Sequence, residues 1–155
     1  MIEEPKAPRI EGDELIIETT SGTEVYDAKY MTAVLLVFVA KGDGSISNTE
    51  TDQMLALLGS YYELSSSESL GLLRNAIRDL AENPDMKGLL GELSSLVSEQ
   101  EKEDIVLMLL KVVAANGRKD AEEMEKLREA ANMVNVPADV MHRAYDRYFE
   151  ETNIP

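Results

Sequence analysis

The segment Asp43-Gly44-Ser45-Ile46-Ser47-Asn48-Thr49-Glu50 holds the residue types and spacing with most chemical potential in this chain. Two kinds of chemistry are open to it. The first is structural. Gly44 can take the left-handed turn after a helix, Ile46 can fill the core, and Ser47 with Glu50 can form a reciprocal capping box, worth on the order of 1 kcal/mol per cap. That is the commoner use of such residues. The second is cation binding, with Asp43 and Glu50 as oxygen ligands beside waters or carboxylates from elsewhere in the fold. The segment matches the second half of an EF-hand loop, but Val39 and Lys41 stand where that loop has its first two carboxylates. An apolar residue and an ammonium poorly serve a cation that takes about six to eight oxygens, so a true EF-hand is not expected. What remains on this side is a weaker or magnesium-like site.

The same pattern recurs 73 positions later, where Val39–Glu50 lies over Val112–Glu123. In each copy an apolar helix runs into an Asp/Asn-Gly turn, and a capped helix follows three residues after the glycine. Asp120 and Glu123 take the places of Ser47 and Glu50 in the second copy. Asp43, Glu50, Asp120 and Glu123 are therefore the candidate metal residues, for a divalent cation of calcium or magnesium type.

Other chemistry is scarce. With no cysteine there is no disulfide, thiolate zinc site, iron–sulfur cluster or thiol nucleophile. The lone histidine, His142, shares a helical face with Asp139 and Asp146, yet has no serine or cysteine partner in reach by sequence. Gly88-Leu89-Leu90-Gly91 lacks the lysine and serine of a phosphate loop. No catalytic residue is assigned, and a non-enzyme is expected. The acidic runs Glu99–Asp104 and Glu122–Glu125 sit in first turns of helices, where the positive end of the dipole favours carboxylates. Met31, Met54, Met108, Met124 and Met141 fall on apolar stripes and read as core filling.

These residues need elements to position them. Met31, Val34, Leu35, Phe38 and Val39 fall on one helical face, and Leu36 and Val37 make that helix buried on most sides. A second helix begins near Ser47 and turns Met54, Leu55, Leu57, Leu58 and Tyr61 inward. A third opens at Ser65-Ser66-Ser67-Glu68 and runs through Leu70, Leu73, Ile77 and Leu80. Asn83-Pro84-Asp85 breaks it, with Pro84 at the first position of a fourth helix through Leu89, Leu90, Leu93, Leu96 and Val97. Ser98-x-x-Glu101 caps a fifth through Ile105, Leu109, Val112 and Val113, which Asn116-Gly117 ends. Asp120-x-x-Glu123 caps a sixth through Met124, Leu127, Ala131 and Val134, and Pro137 starts a seventh through Val140, Met141, Ala144, Tyr145 and Phe149. The expected fold is all-α, with about seven helices packed as two pseudo-repeated helical units around two central apolar helices.

Residues 1–27 differ, with eight acidic and two basic residues and little apolar material. They read either as a mobile acidic tail or as a short β-hairpin, with Leu15–Thr19 and Thr23–Tyr26 flanking Ser21-Gly22. The expected division is thus an acidic segment over 1–27 and a helical domain over 28–155.

The 155 residues suit one domain, and their net charge of -15 opposes binding to nucleic acid or anionic membrane. The longest wholly apolar run, Ala33–Ala40, is far short of the roughly 18 residues of a membrane span. Met1-Ile2-Glu3-Glu4-Pro5-Lys6 lacks the order of a secretory signal, so a cytoplasmic location is expected.

An apolar helix ending in Asp-Gly-x-Ile-Ser-x-x-Glu, repeated in an acidic seven-helix domain of this size, resembles the tellurite-resistance protein TerB and its relatives. The resemblance covers approximately residues 28–150. Asp43, Gly44, Ile46, Ser47 and Glu50 stand where the family has them; in the second copy Asn116 and Lys119 depart, while Gly117, Asp120 and Glu123 hold. The resemblance implies an all-helical fold, a link to divalent metals, and stress responses through protein partners at the membrane. No catalytic activity is implied. The expected function is a non-enzymatic, cation-responsive stress module with protein partners that are membrane-associated or basic, without nucleic acid and without insertion into the membrane. The alternatives are an acidic carboxylate-lined metalloenzyme of helical type and a simple acidic protein-interaction domain.

Overall fold

Three short strands come first: β1 (Arg9–Glu11), β2 (Glu14–Thr19) and β3 (Gly22–Tyr26). β2 pairs antiparallel with β1 on one edge and β3 on the other. The β2–β3 register runs from Leu15 opposite Tyr26 to Thr19 opposite Gly22. Of this sheet, Ile16 is buried, and β3 touches the first helix. The computed structural model describes residues 9–11, 14–19, 22–41, 46–82, 85–114 and 121–152.

Among the described residues seven helices follow: α1 (Ala28–Ala40), α2 (Asn48–Tyr62), α3 (Ser66–Glu82), α4 (Met86–Ser94), α5 (Glu99–Ala114), α6 (Ala121–Met133) and α7 (Ala138–Thr152). The body of the molecule is all-α. α1 is capped by Asp27, whose carboxylate accepts from the Tyr30 N–H at 3.0 Å. Every residue from Tyr30 to Val37 is buried, because α1 is apolar all round and packs against α2, α3, α4, α5 and α6. α5 is the other core helix, buried from Ile105 to Leu110 and again at Val112 and Val113. It packs on α1 and carries α7 along its length. Burying a side chain such as Leu36 or Leu107 in this core stabilises the fold by about 2 kcal/mol.

Two expectations need correction. α3 buries Ser69, Leu73 and Ala76, while Leu70 and Ile77 are exposed, at 41% and 39%. They sit at the edge of the stripe and stay partly in solvent. On α7 it is Tyr148 that turns inward, edge-on to Phe149, which is 53% exposed. α4 opens at Met86, with Asp85 at its N-cap. Pro84, expected as its first residue, lies outside the described residues.

Among the described residues, no helix is long and apolar enough to cross a membrane.

Candidate functional site

The α1–α2 connection begins where the apolar run of α1 is spent. Its far side is a complete capping box: the Ser47 Oγ accepts from the Glu50 N–H at 3.0 Å, and Glu50 Oε1 accepts from the Ser47 N–H at 3.1 Å. The structural use of this pair is therefore present. It consumes only half of the glutamate. Glu50 is 1% exposed, and its second oxygen, Oε2, is buried with no hydrogen-bond partner among the described residues. Such an atom normally forfeits about 1–3 kcal/mol unless something meets it. Spacing in the sequence shows the box but cannot show that the carboxyl is buried.

Of the other candidate residues, Asp43 and Asp120 lie outside the described residues. Glu123 falls in the first turn of α6, and its side chain is likewise outside them. Among the described residues, no group of three or more His, Asp or Glu is arranged to hold a metal. His142, Asp139 and Asp146 are all exposed, and Asp139 is spent on Arg143 at 3.1 Å.

A second buried carboxylate was hidden in a run read as dipole complement. Glu103 stands in the second turn of α5, past the reach of the helix end. Its Oε1 accepts from Arg143 Nε at 2.7 Å and its Oε2 from an Arg147 terminal nitrogen at 2.9 Å. The same Arg147 nitrogen donates to Asp104 at 2.6 Å. The hydrogen bond from Arg143, followed by that from Arg147, holds the Glu103 carboxyl below its ordinary range against the opposing effect of burial. The partner charges raise both arginines in turn, chiefly Glu103 for Arg143 and Asp104 for Arg147. Arginines four apart on α7 project together onto α5, so this cluster clamps the two helices.

Two tyrosines are similarly committed. The buried Tyr30 hydroxyl donates to Asp79 at 2.6 Å, and burial followed by that bond pushes its ionisation far up. Tyr62 shares a 2.7 Å hydrogen bond with Thr32, and burial pushes it up to about 12. Tyr30 and Asp79 line a cavity of about 300 Å³ with Tyr26, Asp27, Lys29 and Arg78. Its carboxylates are occupied, Asp27 by Lys29 at 2.9 Å and Asp79 by Tyr30 and Arg78.

The sequence profile of the family described as tellurite resistance protein TerB matches residues 29–146. The chain belongs to the TerB family. The matched TerB domain begins one residue into α1 and ends inside α7, taking in both turn motifs and Glu103 and leaving β1–β3 outside. It is a tellurite-resistance-type domain. Among curated proteins and among solved structures, nothing matches this chain.

Proposed function

We propose that this TerB domain is a non-enzymatic module of a tellurite- or metal-stress response, sensing a divalent cation at the α1–α2 turn and acting through protein partners. The observation that carries this reading is Glu50 Oε2. A buried carboxyl oxygen left over from a finished capping box is the kind of donor a hard cation takes. Asp43, at the start of the same motif, is the expected second carboxylate, with waters and carbonyls filling the remaining positions. Asp120 and Glu123 are the corresponding expectation for the second turn, with Asn116 in place of the aspartate weakening it. The net charge of -15 favours cations and basic protein surfaces over nucleic acid. The cytoplasm is the compartment that fits a cysteine-free chain in this role.

A carboxylate-lined metalloenzyme is the weaker reading. The aspartates at the Tyr26–Arg78 cavity are already bound by protein cations and Tyr30, which leaves no open acid–base pair there.

Thermal unfolding with calcium, magnesium, manganese or zinc tests the proposal. At a hundred-fold excess over Kd, a bound ion adds about 2.7 kcal/mol, a rise in Tm of roughly 5–10 °C. Glu50→Gln keeps an acceptor for the Ser47 N–H and should abolish most of that rise, as should Asp43→Ala. No rise with any of the four ions, or equal rises in both variants, would remove the cation from the reading and leave a protein-binding module.

A further inference from the structure

α3 packs on α1 and α2 and buries Ser69, Leu73 and Ala76. A second row of its side chains faces outward. Leu70, Arg74, Ile77 and Ala81 stand at i, i+4, i+7 and i+11, the alternating four-and-three spacing that keeps residues in line along a helix. All four are exposed, Leu70 at 41% and Ile77 at 39%. A single exposed leucine needs no explanation. Two large apolar side chains in register, with a cation between them and an alanine beyond, have the pattern of one half of a helix–helix seam.

Arg74 is the odd member of this row. Among the described residues it makes no ion pair, whereas Arg78 on the next turn bonds to Asp79 at 3.0 Å. A helix pairs its charges over three or four residues, and those places around Arg74 hold Leu70, Gly71, Ile77 and Arg78. None is acidic, so α3 cannot supply the missing carboxylate. The row therefore carries a local positive charge between apolar side chains, on a chain whose net charge is -15.

We propose that this face of α3 docks a helix of a protein partner, one whose own seam carries a carboxylate between apolar residues. The partner's apolar side chains cover Leu70, Ile77 and Ala81, and its carboxylate meets the planar fork of the Arg74 guanidinium. A second copy of this chain does not fit. Arg74 lies near the middle of the row, so a two-fold pairing of rows brings two guanidinium groups together, between chains that each carry -15. The same net charge bears on the rest of the partner. At long range it favours a neutral or basic protein, and the carboxylate is then a local feature that sets register, as a lone charge in a seam does. The inference rests on the reading that the chain acts through protein partners, and it leaves the cation at the α1–α2 turn aside.

The test uses the full chain and two synthetic amphipathic helical peptides, each roughly three heptads long. Both carry leucine at the seam positions, and they differ at one central place, glutamate in one and lysine in the other. Binding is followed through backbone amide shifts by two-dimensional NMR. The expected result is a saturable shift of Leu70, Arg74, Ile77 and Ala81 with the glutamate peptide, and an affinity about ten-fold lower for the lysine peptide. Arg74→Glu should reverse that preference, a result that loss of structure cannot produce. Leu70→Gln with Ile77→Gln should weaken both peptides about ten-fold while helical circular dichroism stays at the wild-type level. Equal affinity for the two peptides, an unreversed preference in Arg74→Glu, or shifts centred on another helix would overturn the proposal. So would a dimer in sedimentation that Leu70→Gln with Ile77→Gln abolishes, since it would assign the face to a second copy. Crosslinking of the full chain in cells that yields no protein adduct would remove the reading underneath, whatever the peptides show.

Discussion

Glu50 and Glu103 are the buried acidic side chains of the described residues, and the chain treats them oppositely. Glu103 is met on both oxygens by arginines from α7, which stay 47% and 34% exposed. Glu50 is met on one oxygen by its own helix cap, and its other oxygen has no hydrogen-bond partner among the described residues. A carboxylate is tolerated inside a protein when its lone pairs are spent, so Glu103 is explained in full as the pin between α5 and α7. Glu50 is explained by half. The difference separates an acid whose two oxygens are both spent from one with an oxygen left over, although both stand near the start of a helix.

The largest expected effect breaks the closed side of this comparison. Arg143→Ala with Arg147→Ala strips Glu103 of both partners and should lower the midpoint of chemical unfolding by more than an ordinary surface substitution does. The loss is smaller than for a fully buried pair, because the arginines are partly hydrated already. A loss comparable with that of an ordinary surface substitution would mean that water replaces them and that Glu103 is not truly closed.

A smaller effect follows from protonation. The Glu103 carboxyl titrates below its ordinary value of 4.5 in the folded chain, so the folded state binds fewer protons than the unfolded one there. The stability it adds is fully present above about pH 4.5 and is lost as pH falls through the lowered value. Unfolding measured between neutral and acid pH should show this slope in the wild type and a flatter one in Glu103→Gln. Equal slopes would assign the acid sensitivity to other carboxylates.

Much of the frame is legible in the sequence because it depends on local spacing. The Ser47/Glu50 and Ser65/Glu68 boxes are three-residue relations, and the burial of α1 follows from its unbroken apolar run. What escapes is whatever depends on distant segments meeting. Arg143 and Arg147 are 40 and 44 residues from Glu103, and nothing near the Glu99–Asp104 run announces them. Leu70, Ile77 and Phe149 lie on apolar stripes yet are exposed, since a stripe can be wider than the neighbour that covers it. Ser69 reads as one more polar residue in a serine-rich helix start. Only the packing of α3 on Gly59 makes it a buried hydroxyl without a partner.

The cation reading of the open acid is tested most directly by the side-chain carboxyl carbon signals of Glu50 and Glu103, followed by NMR as calcium is added. The account predicts a saturable shift of the Glu50 Cδ signal while that of Glu103, held by two arginines, stays in place. A Glu50 signal as unmoved as that of Glu103 would contradict it.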